Sequence, residues 1–452
     1  MALKKIQSFL LMICLSVGAA MIAPALAETA SNNSSSVKLS VKDLQRLATA
    51  IAQIERYYVE PVDEKKLISY AISGMLSNLD PHSDYLDASA MQDLEVTTTG
   101  RFGGIGIEVV PESGLIKIIS PIDNTPAYKA GIKAGDMIVR INGKLVGDMT
   151  MREAIDLIRG EPGSKVQLTI IRQNEKKPLE INVTREIIKY QTIKAKLLDN
   201  NYGYIRLSFF QSDTSRDLRN AITQLKQEAK GGKLSGVILD MRNNPGGLLD
   251  SAIDVSNMLL DSKHLKYGGL IVYTKGRIPS SDIQSKANGS DLLSGVPMVV
   301  LINEGSASAA EIVAGALKDQ NRATLVGERS FGKGSVQTVL PIDNTSMIKL
   351  TTALYYTPSG RSIQAEGIQP DIVVADLKIP QATNSEEGLI SISEADLNRH
   401  LANGNTTKPQ NLPTGQVKVN SQVQDLLYSD FQLYEALNVL KGLAAAANTN
   451  TQ

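Results

Sequence analysis

The chain has one cysteine, three histidines and no net charge, and each scarcity removes a class of explanation. Cys14 lies inside an apolar leader, so no disulfide framework braces the rest of the 452-residue chain. Lys+Arg and Asp+Glu both number 47, so no basic excess points to nucleic acid and no acidic block points to a disordered tail. None of His82, His264 and His400 falls in a recognisable triad motif, and neither G-x-S-x-G nor G-[DN]-S-G-G occurs. No repeat of fixed period is present. Apolar residues are plentiful, at 42%, and the length suits two to four domains with real cores.

At the start, Lys4 and Lys5 precede the apolar run SFLLMICLSVGAAMI, and APALA ends in small residues at Ala25 and Ala27. This pattern predicts a secretory signal peptide over residues 1–27, cut after Ala27. The expected location is the periplasm, with membrane contact only through the leader. An uncleaved anchor would need a longer apolar run. Residues 28–37 are a polar linker, too poor in apolar side chains to fold. Residues 38–95 read as helices, with Leu44, Leu47, Ile51 and Ile54 on one face, and Asp80-Pro81 stops the pattern. Residues 376–452 are uneven until a helical period returns in DLLYSDFQLYEALNVLKGLAAA.

From residue 96 the pattern changes to strands. FGGIGIEVV and GLIKIISPI read as strands, and PAYKAGIKAGDMIVRINGKLV as a short helix, a Gly135-Asp136 turn and a strand. MREAIDLIRG is an amphipathic helix with Ala154, Ile155 and Ile158 inward, and two further strands flank a charged turn. This succession over residues 96–185, with G-G-I-G-I-E and A-G-I-K-A-G-D in order, resembles a PDZ domain. The resemblance implies that an extended peptide adds to a sheet edge and places its terminal carboxylate in a backbone nest. Gly103, Gly104 and Gly106 would let N–H groups converge, because no Cβ blocks the approach. Ile105 and Ile107 would line a pocket for an apolar last side chain. The plainer reading of the glycines alone is a tight β-turn.

Residues 186–375 alternate strands and helices, an α/β pattern with a sheet covered by helices. Two strands run into helices through turns of small residues, NNPGG at 243–247 and GSASAA at 305–310. Such turns leave backbone N–H groups free. Taken alone, Ser308 reads as a helix cap worth about 1 kcal/mol. GERSFGKGS at 327–335 imitates a phosphate-binding loop but fails by one residue, with Gly334 at the Ser/Thr position, and a strand follows instead of a helix. A lysine serves as a base only when neutral, so burial must lower its pKa from about 10.4. Lys333, between two glycines, has the freedom to turn inward, although a solvated surface position is the ordinary fate of a lysine.

GSASAAEI, a spacing of 25 residues from Ser308 to Lys333, and then FGKGSVQ together resemble the carboxyl-terminal processing peptidases, also called tail-specific proteases. LDPHS, RNNPGG, YYTPSGRSIQ and GIQPDI extend the resemblance over most of the mature chain. It implies an α/β protease core with an inserted, mostly β PDZ domain and helical N- and C-terminal regions. It implies Ser308 as nucleophile, Lys333 as general base, Gln337 as support for Lys333, and the N–H groups of Gly247 and Ala309 as the oxyanion hole. A Lys333–Gln337 contact requires the chain to bend at Gly334, since four residues of regular strand span about 13 Å. Otherwise Gln337 pairs with neighbouring groups. The implied partners are proteins with apolar C-termini, an adaptor or activator, and a second copy of the chain through residues 38–95 and 423–445. No metal or cofactor is implied. The competing classes are a non-catalytic or activator-dependent PDZ scaffold and a chymotrypsin-like protease, whose histidine triad is missing.

Overall fold

A computed structural model describes residues 39–199, 201–380 and 421–449. The expected leader and linker, and the polar stretch over 381–420, lie outside the described residues. The chain divides into two units, residues 1–68 and 69–452. In the first, the helix Val41–Tyr57 starts at Ser40, whose hydroxyl oxygen accepts the Asp43 N–H at 3.1 Å. Leu44, Leu47 and Ile54, placed on one face by the period, are exposed.

The second unit is built on a six-stranded sheet ordered Ile193–Leu198, Tyr202–Leu207, Gly236–Asp240, Met298–Ile302, Thr324–Gly327 and Ile372–Val373. The first pair is antiparallel and the rest are parallel. Gly236–Asp240 and Met298–Ile302 are buried at every residue, as central parallel strands covered on both faces must be. Helices Thr214–Glu228, Leu249–Leu259 and Ala309–Asp319 pack on one face, over a core that includes Phe210, Leu239, Val300 and Val313.

Two helices cover the other face, Ser421–Ser429 and Phe431–Thr449. Leu433, Leu437 and Leu440 pack there with Ile238, Val299 and Leu301. The sequence reads as one helical pattern here, but the chain breaks at Asp430. The Asp430 carboxylate accepts the Leu433 N–H at 3.0 Å and pairs with Arg242 at 2.8 Å. The apolar face of the terminal helix is therefore spent largely inside the chain.

Residues 101–189 form a separate small sheet and core. Strands Ile107–Glu112, Leu115–Pro121, Met137–Ile141, Lys165–Ile171 and Leu179–Thr184 lie in that order, and Arg101–Gly104 pairs with Glu186–Lys189 beside them. Helix Met151–Ile158 is closed by a capping box between Thr150 and Glu153, and buries Ala154 and Ile158. A third sheet carries Asp84–Leu86, Met347–Tyr356, Leu270–Gly276 and Gln284–Lys286, with Ser335–Pro341 also paired to Met347–Tyr356.

Candidate active site

The parallel strands Gly236–Asp240 and Met298–Ile302 end side by side, and at their carboxyl ends sit the two small-residue turns. This is where open α/β sheets place their ligands. The turns are laced together. Asn303 accepts the Asn243 N–H at 2.7 Å, Asn244 accepts the Ala307 N–H at 2.9 Å, and the Ser306 hydroxyl donates to the Met241 carbonyl at 2.8 Å. A Cβ on Gly246 would lie 2.8 Å from the Ser308 Cβ and 2.9 Å from the Ala307 carbonyl oxygen. Glycine at that position is what allows the turns to touch.

Ser308 caps the helix Ala309–Asp319 with φ 54° and ψ −115°, a conformation few non-glycine residues adopt. Such backbone costs about 1–3 kcal/mol and persists only where its surroundings enforce it. The enforcing group is Glu311, fully buried one turn into the helix. One of its oxygens accepts the Ser330 hydroxyl at 2.6 Å and the Gly332 N–H at 2.7 Å; the other accepts the Ser308 N–H at 2.7 Å and the Lys333 N–H at 2.9 Å. Burial pushes the Glu311 carboxyl above its ordinary pKa, and the four donors pull it back. One carboxylate thus fixes the backbone of both Ser308 and Lys333.

The Lys333 loop is braced from its other side as well. Gln364 accepts the Gly334 N–H at 2.9 Å, the Gly332 carbonyl accepts the Ala365 N–H at 2.8 Å, and the Ser330 hydroxyl oxygen accepts the Ile368 N–H at 2.7 Å. Tyr355, 1% exposed, donates its hydroxyl to the Lys333 carbonyl.

Ser308, Lys333, Gln337, Gly247 and Ala309 line one cavity of about 370 Å³, together with Leu94, Thr97 and Tyr355. Among the described residues, the N–H groups of Gly247 and Ala309 donate to no protein acceptor, and the Lys333 ammonium has no hydrogen-bond or ion-pair partner. Burial lowers the Lys333 pKa, and the charge of Lys349 adds to this; Asp80 and Glu311 oppose it. His82 also stands close enough to feel Lys333. Burial first, and then the Lys333 charge, lower its pKa.

Gln337 does not hydrogen-bond Lys333. Its amide nitrogen donates to the Ser335 hydroxyl at 3.0 Å and to Thr351 at 3.2 Å. Of the five residues expected to bind a C-terminus, Ile105, Gly106 and Ile107 line a separate groove with Ile155, Ile158 and Arg159. Among the described residues the N–H groups of Ile105 and Gly106 have no acceptor, and Gly106 has φ +78°. Gly103 and Gly104 do not line the groove. They pair with Ile187 and Glu186, and Gly103 lacks a side chain because a Cβ would meet the Gly160 carbonyl oxygen at 2.0 Å.

Sequence reasoning missed Glu311, Tyr355 and Arg159. Only Glu311 had a local signal, the S-x-x-E spacing from Ser308 that marks a capping box.

Residues 201–374 match the model for peptidase family S41, residues 103–183 that for a PDZ domain, and residues 9–90 that for the activating protease CtpB N-terminal domain. A carboxy-terminal-processing protease of Bartonella bacilliformis is 46% identical over 360 residues, covering 80% of this chain and 81% of that one. The carboxy-terminal processing protease CtpA of Bacillus subtilis is 38% identical over 78% of this chain and 74% of its own length. A carboxyl-terminal-processing protease of Synechocystis is 36% identical over 75% and 76%. The chain belongs to the carboxy-terminal-processing proteases of peptidase family S41, and is a serine-type protease with a PDZ domain.

Proposed function

We propose that this protease works in the periplasm as an endopeptidase with a Ser–Lys mechanism, and that its PDZ domain selects substrates by their C-termini. The observation that carries the reading is the convergence of Ser308, Lys333 and two unpaired backbone N–H groups on one cavity. In the neutral form that burial favours, Lys333 removes the Ser308 hydroxyl proton. The Ser308 oxygen attacks the peptide carbonyl, and the resulting oxyanion is held by the N–H groups of Gly247 and Ala309, each worth about 3 kcal/mol in the transition state. Lys333 returns the proton to the leaving amine, and the acyl-enzyme forms. A water that gives its proton to Lys333 then releases the acyl group. We assign Gln337 the support of Lys333 on the family resemblance alone, because its amide nitrogen is bonded to Ser335 and Thr351.

In the PDZ groove, the N–H groups of Ile105 and Gly106 and the cation of Lys194 suit a terminal carboxylate, while Arg159 and Lys189, which also line it, are paired with Asp93 and with Asp213 and Asp217. Ile107, Ile155 and Ile158 suit an apolar final side chain. Periplasmic location rests on the leader pattern over residues 1–27. Among the described residues no helix is long and apolar enough to cross a membrane. A peptide or an activator protein at the PDZ domain would gate the cavity.

The test uses the full mature chain and one loosely folded substrate, ending in either a free apolar residue or a charged, amidated one. Intact mass should show cleavage of the apolar-tailed form only, absent in both Ser308→Ala and Lys333→Ala. Equal cleavage of the two tails removes the PDZ domain's selecting role. Tail binding without cleavage supports the scaffold reading.

A further inference from the structure

The turn DPHS at residues 80–83 lies beside the Ser308–Lys333 site. Asp80 folds this turn on itself. One oxygen accepts the N–H groups of His82 at 2.8 Å and Ser83 at 3.0 Å, and the other accepts the Ser83 hydroxyl at 2.7 Å. The turn is docked on the strand Met347–Tyr356, because the Ser83 hydroxyl oxygen accepts the Thr351 N–H at 3.1 Å and Asp84–Leu86 pairs with the same strand. Asp80 also reaches across, accepting the Thr351 hydroxyl at 3.1 Å.

Thr351 meets Gln337 because of a bulge. Val336 pairs with Ala353, so a regular ladder would set Gln337 opposite Thr352; the register slips there and Gln337 faces Thr351. Bulges commonly re-aim side chains beside active sites. Gln337 then donates from its amide nitrogen to the Thr351 hydroxyl oxygen.

The direction of this chain of bonds is forced. Burial alone would raise the Asp80 pKa, but hydrogen bonds from Ser83, His82 and Thr351 bring it below the ordinary value. An ionised carboxylate only accepts. The single Thr351 proton is therefore committed to Asp80, and Thr351 can offer Gln337 only a lone pair. The nitrogen end of the Gln337 amide must face Thr351. Among the described residues the Gln337 amide oxygen accepts no hydrogen bond, and Gln337 lines the cavity that Lys333 also lines.

We propose that Asp80, acting through the Thr351 hydroxyl, is a positioning residue that fixes the Gln337 amide with its oxygen reserved for Lys333. The inference rests on the reading of Lys333 as base and Gln337 as its support. It makes the turn ahead of the PDZ domain part of the catalytic apparatus. The charged groups around Lys333 are Lys349 on the same strand as Thr351, Asp80 on the turn and Glu311 on the Ser308 helix, with His82 beside them.

Thr351→Val is the informative substitution. It keeps the shape of the side chain and the three bonds that fold the Asp80 turn, and removes only the hydroxyl. In the full chain, cleavage of the loosely folded substrate should lose about tenfold in kcat with little change in KM, the signature of a misplaced group and not of lost binding. Thr351→Ser, which keeps the hydroxyl, should restore most of the rate. In a Gln337→Ala background, Thr351→Val should add nothing, because the side chain it orients is gone. Circular dichroism and the unfolding midpoint check that each variant folds. A slow Gln337→Ala that Thr351→Val slows a further tenfold, or a Thr351→Ser as slow as Thr351→Val, overturns the proposal alone. A Gln337→Ala with unchanged kcat overturns the reading of Gln337, and the proposal with it.

Discussion

Replacing Glu311 by glutamine removes one charge and almost no volume, and the structure allows its cost to be worked out. The carboxylate serves four donors, two on each oxygen. A glutamine does best with its carbonyl oxygen toward the N–H groups of Ser308 and Lys333, neither of which can accept. Its NH2 then faces the Ser330 hydroxyl, which can accept, and the Gly332 N–H, which cannot. One buried N–H is orphaned at about 1–3 kcal/mol, and the three remaining bonds lose charge assistance at about 1 kcal/mol each. Relief from burying a charge returns part of this, leaving a loss of about 2–4 kcal/mol. Urea unfolding in a Ser308→Ala background, which prevents self-digestion, measures it. Activity in the otherwise native enzyme should fall further than the stability loss explains, because the Ser308 and Lys333 backbones are released together. A variant within about 0.5 kcal/mol of the parent, and as active, would refute the claim that Glu311 fixes both.

Two further outcomes follow from the same geometry. Lys349→Met removes a positive charge that holds Lys333 toward its neutral form, so the Lys333 pKa should rise, kcat/KM at pH 7 should fall, and the ascending limb of the pH–rate profile should move to higher pH; a limb that stays put or moves down contradicts the lysine-base assignment. Gly246→Ala places a Cβ 2.8 Å from that of Ser308, at a φ of +109° that suits only glycine, so it should abolish cleavage and lower the unfolding midpoint, and a stable, active variant would show that the two turns need not touch.

Much of the site was legible in the sequence, for reasons that are local. A strand running into a helix through small residues leaves free N–H groups wherever it occurs, so NNPGG and GSASAA point to the cavity that Gly247, Ser308 and Ala309 line. The strand after GERSFGKGS was enough to reject a phosphate loop, and Ser335–Pro341 is a strand. The choice of Ser308 over an ordinary cap, and of Lys333 over an ordinary surface lysine, came from the family resemblance and not from the residues alone.

What was not legible depends on pairings between distant segments. Glu311 reads locally as the fourth residue of a capping box, and only the packed loop at residues 330–333 turns it into a shared clamp. Asp80 reads as a helix stop, yet Thr351, its partner, is 271 residues away. Residue spacing suggests only a bend at Gly334 for Gln337, whereas the feature that aims it is the register slip between Val336 and Gln337. The break between the last two helices follows from the Arg242–Asp430 pair, which joins segments 188 residues apart. Periodicity reports which face of a helix is apolar, but not whether that face meets a partner or the chain's own sheet. For this reason residues 423–445 read as an association surface although Leu433, Leu437 and Leu440 are core.

The central claim is that Ser308 is a nucleophile activated by Lys333. The most direct measurement is intact mass of the full mature chain after reaction with a fluorophosphonate, with peptide mapping of the adduct and with Ser308→Ala and Lys333→Ala alongside. The account predicts a single adduct at Ser308, absent from Ser308→Ala and formed far more slowly by Lys333→Ala. Labelling that survives Ser308→Ala, or that Lys333→Ala leaves at the parent rate, would contradict it.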